Sequence, residues 1–169
     1  MTADPIAGRK VRYPGWSADR FAAPAVITAT ATLTVAVAPD NAYAAVVGLI
    51  DGAKSSIRLA SLTLENVGVG QALARAARRG VVVTALLEGA PPGGLGDQAR
   101  YVCELIEAAG GSCWFMAGDE ARGGDRRHRH LHAKYPGIDA RLAAASRDNF
   151  RPARLPDDRK RAGPGGGRG

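Results

Sequence analysis

The sequence predicts an α/β domain with a mostly parallel mixed sheet flanked by helices. Three observations predict it. The 169 residues suffice for one domain with a hydrophobic core, 46% of them are hydrophobic, and strand and helix patterns alternate along the middle of the chain. The expected organisation is an irregular segment at residues 1–24, the α/β domain at residues 25–150, and a basic Gly/Arg-rich disordered tail at residues 151–169.

The first half of the predicted domain contains two strands, each followed or preceded by a helix. Residues 25–38 alternate small polar and aliphatic side chains, which favours a strand, and "PDN" then predicts a helix capped by Asp40. Residues 55–64 form the next predicted strand. Residues 66–80 are typical of a helix, with Asn66 as its N-cap and a glycine at its end.

The second half continues the alternation. Residues 81–87 are a continuous apolar run, which favours a parallel strand covered on both faces. A helix is expected at residues 97–111 and a short strand at residues 112–116. "HRHLHAKY" and "ARLAAAS" predict two further strands joined through "PGID". The Gly-rich loop at residues 88–97 lacks the Gly-Lys-Ser/Thr ending of a phosphate-binding loop, so we predict no nucleotide site there.

The positive charge of the chain is concentrated in its last third. The net charge is +7 at pH 7. Residues 1–120 contain 10 Lys or Arg and 11 Asp or Glu, whereas residues 121–169 contain 13 and 5, a local net charge of +8. A basic region attracts phosphates, nucleic acid or anionic lipid, and a solvated basic tail is the alternative for residues 151–169.

Neither the cysteines nor the N-terminal residues indicate an export pathway. Cys103 and Cys113 are too few for a disulfide framework or a zinc site, so we expect two small buried apolar side chains, with one disulfide in an oxidising compartment as the alternative. The first residues lack the order of a signal peptide, which makes the cytoplasm the default location, although a fragment of an exported enzyme would look the same. Residues 21–38 are uncharged, but their threonines, Pro24 and strand-like alternation predict no transmembrane segment.

All three histidines lie in "HRHLH", at positions 128, 130 and 132. On a strand they share one face, which permits a metal site, but the spacing supplies no carboxylate or cysteine to complete the shell, so no metal is predicted. A basic nucleic-acid patch is the second interpretation, although an aromatic content of 5% supports base stacking poorly. The arginines of that patch are Arg126, Arg127 and Arg129.

A third interpretation takes His132, Lys134 and Asp139 together. Cleavage of a phosphodiester without a metal needs a nucleophile that can leave again, a cation for the phosphate oxygens, and a carboxylate that orients the nucleophile. His132 and Lys134, two apart on a strand, point to the same face, and Asp139 can return to that face beyond a turn. Asn149 is a neutral donor for a further phosphate oxygen. The simpler alternative makes His132 a strand residue and Asp139 a turn residue.

"HAKYPGID" followed by "SRDNF" resembles the His-x-Lys-x4-Asp motif and the downstream Gly-Ser-x-Asn-Phe of the phospholipase D superfamily. "VAPDNAYAAVVGLIDGAKSSIRLASLTL" is similar to the opening of such a domain, so the resemblance covers roughly residues 35–150. It implies that His132 attacks phosphorus and forms a phosphohistidine, that Lys134 neutralises the phosphate and that Asp139 orients the imidazole. Further substrate contacts are implied for Asn149 and, at the Gly-Ser position, for Ser146 and Arg147. The resemblance implies no metal and no organic cofactor.

The implied function is metal-independent hydrolysis of a phosphodiester, in a phospholipid or a nucleic acid. The family's site uses two such motifs and this chain contains one, so the resemblance implies a homodimer or a second motif-bearing half as partner. Four departures from the family pattern are Pro136 inside the strand, Ala140 in place of the usual Gly, Ser146–Arg147 in place of Gly-Ser, and a Gly- and Arg-rich segment after residue 150, where the family fold continues with further structure. The alternative function is therefore a catalytically incomplete half-domain that binds nucleic acid or other anions.

Overall fold

The computed structural model describes residues 30–116, 131–147, 149–153 and 155. Within these ranges helices and strands alternate as predicted, which confirms the α/β class. The helices are α1 (Ala42–Gly52), α2 (Val67–Arg78) and α3 (Asp97–Ala108). The strands are β1 (Ser56–Ser61), β2 (Val82–Glu88), β3 (Ser112–Met116), β4 (Lys134–Ile138) and β5 (Leu142–Ala143). The irregular segment predicted at residues 1–24 lies outside the described residues.

The five strands form one mixed sheet in the order β3-β2-β1-β4-β5. The pairs β1–β2 and β2–β3 are parallel, whereas β4 runs antiparallel to both β1 and β5. Ser61 at the end of β1 therefore lies between Leu87 of β2 and Lys134, the first residue of β4. Because β4 is antiparallel, its first residues meet the carboxyl ends of the parallel strands at one edge of the sheet.

The helices cover one face of this sheet. Both crossovers, β1–α2–β2 and β2–α3–β3, move in the same direction across the sheet, and right-handed connections then place α2 and α3 on the same side. The strand side chains on that side are buried, including Ile57 and Leu87, whereas Arg58 and Val82 on the opposite face are exposed. The alternation of buried and exposed residues along β1 is the period of two that a strand with one covered face requires.

Local sequence sets two of the helix ends. Asn66 caps α2 as predicted, since its Oδ1 accepts a hydrogen bond from the backbone N–H of Val69 at 3.1 Å. Gly80 follows the helix with a φ of +88°, a conformation that glycine adopts without strain. The predicted cap of α1 is wrong, because the helix begins at Ala42 and the side chain of Asn41 instead accepts from the backbone of Val37.

The strand predicted at residues 25–38 is not found where the structure describes it. Residues 30–38 form no ladder with any described strand, and Leu33, Val35 and Val37 are 85%, 72% and 57% exposed. Alternation predicts an extended backbone, but a strand also needs a neighbour with free N–H and C=O groups. Among the described residues, none of the helices has the length and apolar character needed to span a bilayer.

The folded part extends past the predicted boundary at residue 150. Leu155 is 4% exposed, and its carbonyl oxygen accepts a hydrogen bond of 2.6 Å from the side chain of Asn66. Arg151 lies 3.4 Å from the carboxylate of Glu65. The remainder of the predicted tail, from residue 156, lies outside the described residues.

Cys103 of α3 and Cys113 of β3 are joined by a disulfide. Both residues are buried, as expected for small apolar side chains, with exposures of 0% and 6%. The bond is the alternative left open by the sequence. It ties the last crossover helix to the edge strand of the sheet, over a sequence separation of 10 residues.

Candidate active site

The candidate site lies at the sheet edge where β1 and β2 end and β4 begins. Lys134 is paired with Ser61, and the backbone N–H of Leu62 donates to the carbonyl of Ala133 at 3.0 Å. His132 precedes the first residue of β4 and is exposed, whereas Lys134 is 7% exposed. In open α/β sheets, ligands bind outside the carboxyl ends of the strands, which is the edge that these residues occupy.

His132 and Lys134 are in direct contact. The Lys134 Nζ lies 2.9 Å from Nδ1 and 3.2 Å from Nε2 of the imidazole, and it donates to the His132 carbonyl at 2.9 Å. An ammonium group has only donors and a neutral imidazole has one acceptor nitrogen, so only one of the two ring contacts is a hydrogen bond. The contact places the imidazole of His132 directly beside the positive charge of Lys134. The lysine side chain turns back toward residue 132, two positions earlier, where it contacts both the ring and the backbone carbonyl.

Asp139 lies at the opposite end of β4. Its Oδ2 accepts from the Lys54 backbone N–H at 2.9 Å, and its Oδ1 accepts from the backbone N–H groups of Ser55 and Ser56, both at 2.8 Å. These bonds, that from Ser56 first, hold the pKa of Asp139 well below its usual range.

This position corrects the role that the resemblance implies for Asp139. Five residues of extended chain, about 16 Å at about 3.3 Å per residue, separate Asp139 from Lys134. The carboxylate is therefore placed to organise the start of β1, and its described partners are the residues before that strand. The geometry does not bring Asp139 to the imidazole of His132.

The turn after β4 explains why glycine is usual at position 140. Asp139 and Ala140 have φ values of +53° and +54°, and the Arg141 N–H donates to the Ile138 carbonyl at 3.0 Å. Two successive residues with positive φ are the requirement of the tight turns that join antiparallel strands, where Asp-Gly is preferred. Ala140 adopts this conformation at a steric cost that glycine would not incur.

Pro136 does not interrupt the sheet at β1. It is paired with Leu59, and its carbonyl accepts from the Ala144 N–H at 2.9 Å on the side of β5. Since the N and the C=O of one strand residue point to the same side, the N–H that proline lacks would also face the two-residue strand β5. Pro136 therefore removes no hydrogen-bond donor from the β1–β4 pairing, and the donor it lacks would face only the short edge strand β5.

The second half of the motif returns to the same sheet edge. The Ser146 N–H donates to the Lys134 carbonyl at 3.0 Å, which places residue 146 beside the candidate site. Phe150 forms a parallel bridge with Leu64, just beyond β1, and is 1% exposed. Asn149 precedes this anchor and is half-buried, with an Oδ1 that has no hydrogen-bond partner among the described residues. Arg147 is exposed.

Sequence reasoning missed Glu88, the last residue of β2. It is 1% exposed, its Oε2 accepts from the Leu131 N–H at 2.6 Å, and its Oε1 accepts from the Ala90 N–H at 3.1 Å. Glu88 therefore holds the backbone immediately before His132. The available signal was a carboxylate at the end of the apolar run "VVVTALLE", at the edge where such sheets bind ligands.

Two interpretations of "HRHLH" stay predictions. His128, His130 and the arginines at 126, 127 and 129 lie outside the described residues. Within the part of the chain that the structure describes, no three His, Cys, Asp or Glu side chains are grouped so as to hold a metal ion.

Comparison with known proteins identifies the fold. The sequence matches no protein-family model and no curated protein. The structure of a phospholipase D family member, Nuc from Salmonella typhimurium, is similar with a TM-score of 0.57 and 24% identity, over 69% of this chain and 70% of that chain. NucT from Helicobacter pylori is similar with a TM-score of 0.55 and 17% identity, over 70% and 74% of the two chains. The chain is an α/β protein, and more particularly it has the phospholipase D fold, as the motif resemblance implied.

Proposed function

We propose that this protein is a phospholipase D-like phosphodiesterase in which His132 attacks phosphorus. The observation that carries the proposal is the contact between the Lys134 ammonium and an exposed imidazole, at 2.9 Å from Nδ1 and 3.2 Å from Nε2. Nucleophilic catalysis at phosphorus needs a nucleophilic group next to a charge that stabilises the phosphate oxygens. The similarity of the fold to a phospholipase D family member supports this assignment.

The reaction proceeds in two displacements at phosphorus. First, a ring nitrogen of His132 forms an N–P bond as the P–O bond to the leaving alcohol breaks, and an acid protonates that alcohol. Second, water attacks phosphorus and gives its proton to the conjugate base of that acid, the N–P bond breaks, and the imidazole and the acid return to their starting states. Lys134 and Asn149 contact the non-bridging oxygens, and Ser146 and Arg147 approach from the segment beside Lys134. Asp139 acts on the fold and not on the imidazole.

The proposed partner is a second copy of this chain or another motif-bearing half. The protonation of the leaving alcohol needs a second acid, and the motif occurs once in this sequence. A two-fold axis that brings two exposed His132 side chains together supplies it, since one imidazole attacks while the other donates a proton. The substrate is a phospholipid or a nucleic acid, and the local charge of +8 in residues 121–169 favours nucleic acid.

The test is hydrolysis of bis(p-nitrophenyl) phosphate in EDTA by the wild type and by His132→Ala, with the molecular mass in solution measured in parallel. Gln71→Ala, an exposed change on α2, is the matched control. The expected result is that the wild type and the control are dimers and hydrolyse the substrate. The turnover rate of His132→Ala is expected to be at least about 10³-fold lower. Turnover retained by His132→Ala contradicts the proposal, as does a folded wild type without turnover.

An anion-binding module without turnover is the second candidate. The observation that favours it is the exposed Arg147, which occupies the position where the resemblance expects a serine hydroxyl. This function predicts binding of single-stranded DNA that weakens steeply with salt, that survives His132→Ala, and that accompanies no hydrolysis. Binding and hydrolysis of the same oligonucleotide therefore separate the two functions.

A further inference from the structure

Thr63 lies two residues past the end of β1, between a residue that bonds to the segment before β4 and a residue that bonds to the segment after β5. Before it, the Leu62 N–H donates to the Ala133 carbonyl at 3.0 Å, which continues the β1–β4 pairing toward His132. After it, Leu64 forms its parallel bridge with Phe150. Thr63 thus lies between the two halves of the motif. The first half leads into β4, and the second half contains Asn149.

The side chain of Thr63 is buried without a partner. Thr63 is 3% exposed, and its Oγ1 has no hydrogen-bond partner among the described residues. The Oδ1 of Asn149, which precedes the residue bridged to Leu64, is in the same condition. Buried polar atoms in folded proteins nearly always have a partner. The Leu64–Phe150 bridge brings together the two segments that carry these atoms.

The hydroxyl of Ser61 shows that burial alone does not leave a hydroxyl at this place without a hydrogen-bond partner. Ser61 is 0% exposed, and its Oγ donates to the Thr63 carbonyl at 2.8 Å. The backbone oxygen of Thr63 is therefore engaged locally, and its hydroxyl is not. A hydroxyl that the fold leaves unpaired at a candidate site is available to donate to a ligand.

The ligand with the matching chemistry is a phosphoryl group. Its non-bridging oxygens accept hydrogen bonds, the Thr63 hydroxyl donates one, and the Asn149 amide can present its NH₂ group after a 180° rotation. Lys134 supplies the positive charge at the same edge. The serine expected two residues before Asn149 is Arg147 in this chain, so position 147 carries no hydroxyl.

We propose that Thr63 is a substrate-binding residue of the candidate site, and that its hydroxyl donates to a non-bridging oxygen of the phosphoryl group held at His132. It takes the place of the serine hydroxyl that the motif of this chain lacks. The inference rests on the proposed function, because it concerns the phosphate of the same reaction.

The experiment uses the full chain, inorganic phosphate as the probe, and Thr63→Val with Thr63→Ser as the matched control. Removal of one hydrogen bond to a charged ligand is expected to weaken phosphate binding, measured by calorimetry, by about 10- to 100-fold in Thr63→Val. Thr63→Ser keeps the hydroxyl and is expected to stay within about threefold of the wild type. Without phosphate, Thr63→Val is expected to unfold at the same temperature as the wild type or at a higher one, because an unpaired buried hydroxyl has been removed.

The outcomes separate the two proposals. If Thr63→Val binds phosphate as the wild type does, or if it loses thermal stability without phosphate, the role of Thr63 is wrong. In that case turnover of bis(p-nitrophenyl) phosphate by the wild type still supports the proposed function. If the wild type binds phosphate, and Thr63→Val weakens that binding but the wild type shows no turnover, Thr63 is a phosphate ligand and the proposed catalysis is wrong. Absence of both binding and turnover in the wild type overturns both. If Thr63→Val does not fold, Thr63→Ala removes the same hydroxyl with a smaller side chain and the same criteria apply.

Discussion

The carboxylate of Asp139 accepts hydrogen bonds from both the backbone N–H and the hydroxyl of Ser55, at 2.8 Å and 2.9 Å. The two residues are 84 positions apart in the sequence. Their contact fastens the turn after β4 to the chain just before β1, so it sets how these two antiparallel strands are joined. Asp139, to which the motif resemblance assigns a contact with His132, thus bonds instead to the residues at the start of the sheet.

Replacement of Asp139 is therefore expected to reduce the thermal stability of the protein more than its kcat. Asp139→Ala removes the acceptor of three backbone N–H groups, and we expect its midpoint of thermal unfolding to fall by several degrees. The kcat of the fraction that remains folded is expected to stay within about threefold of the wild type. A large loss of kcat at unchanged stability would contradict this assignment and restore the imidazole-orienting role. Asp40→Ala, at an exposed position in the turn before α1, is the control.

The same contact predicts an acid dependence of stability. Because the pKa of Asp139 is lowered by folding, its contribution is fully present above the pKa of an unfolded aspartate, about 4, and is lost as pH falls below that value. Urea unfolding of the wild type from pH 6 to pH 2 is expected to show this loss. Asp139→Asn is expected to show a shallower dependence over the same interval. Parallel curves for the two proteins would mean that Asp139 has no special role in acid stability.

Ala140→Gly is expected to stabilise the protein. The residue has a φ of +54°, where a Cβ atom costs about 1–2 kcal/mol, and the greater flexibility of glycine in the unfolded chain offsets part of that gain. We expect a net increase of about 0.5–1 kcal/mol in the free energy of unfolding, measured with urea. Ala44→Gly, at an exposed position of α1, is the matched control and is expected to destabilise by about 0.5–1 kcal/mol. Equal effects of the two changes would contradict the turn geometry.

Glu88→Gln tests the support of the backbone before His132. The carboxylate accepts from the N–H groups of Leu131 and Ala90, and an amide has one oxygen for these two donors. One partly buried donor is then left unpaired, and we expect the free energy of unfolding to fall by about 1–3 kcal/mol. Because His132 follows the supported residue, kcat is expected to fall more than KM rises. Glu104→Gln, exposed on α3, is expected to stay within about 0.5 kcal/mol of the wild type. A Glu88→Gln protein indistinguishable from this control would exclude the positioning role.

The disulfide is expected to contribute to stability through the unfolded chain. A cross-link between Cys103 and Cys113, which are 10 residues apart, removes loop-closure entropy equivalent to about 3 kcal/mol. The Cys103→Ala/Cys113→Ala double variant is therefore expected to unfold at lower urea concentration than the oxidised wild type. Titration of thiols in the unfolded, unreduced protein checks the premise, since two free thiols would show that the bond does not form.

The sequence by itself determined the features that depend on near neighbours. The spacing of apolar residues predicted the strands and helices from α1 to β3. Asn66 was recognisable as the N-cap of α2 because a cap bonds to a backbone N–H within three residues. The His132–Lys134 contact was predictable for the same reason, since two positions separate the side chains. The α/β class follows from the alternation of these elements alone.

Only the tertiary structure decided which distant groups meet. Strand register brings Asp139 to Ser55, Glu88 to Leu131, and the segment of Asn149 to that of Thr63. The strand predicted at residues 25–38 shows that a local pattern does not suffice for a strand. The alternation is present there, but residues 30–38 have no described strand beside them. The physical reason is that hydrogen bonds within a helix turn or a cap are set by local spacing, whereas those of a sheet and of a buried site depend on the pairing of segments far apart in the chain. In this protein the His132–Lys134 contact is of the first kind, and the contacts of Asp139 and Glu88 are of the second.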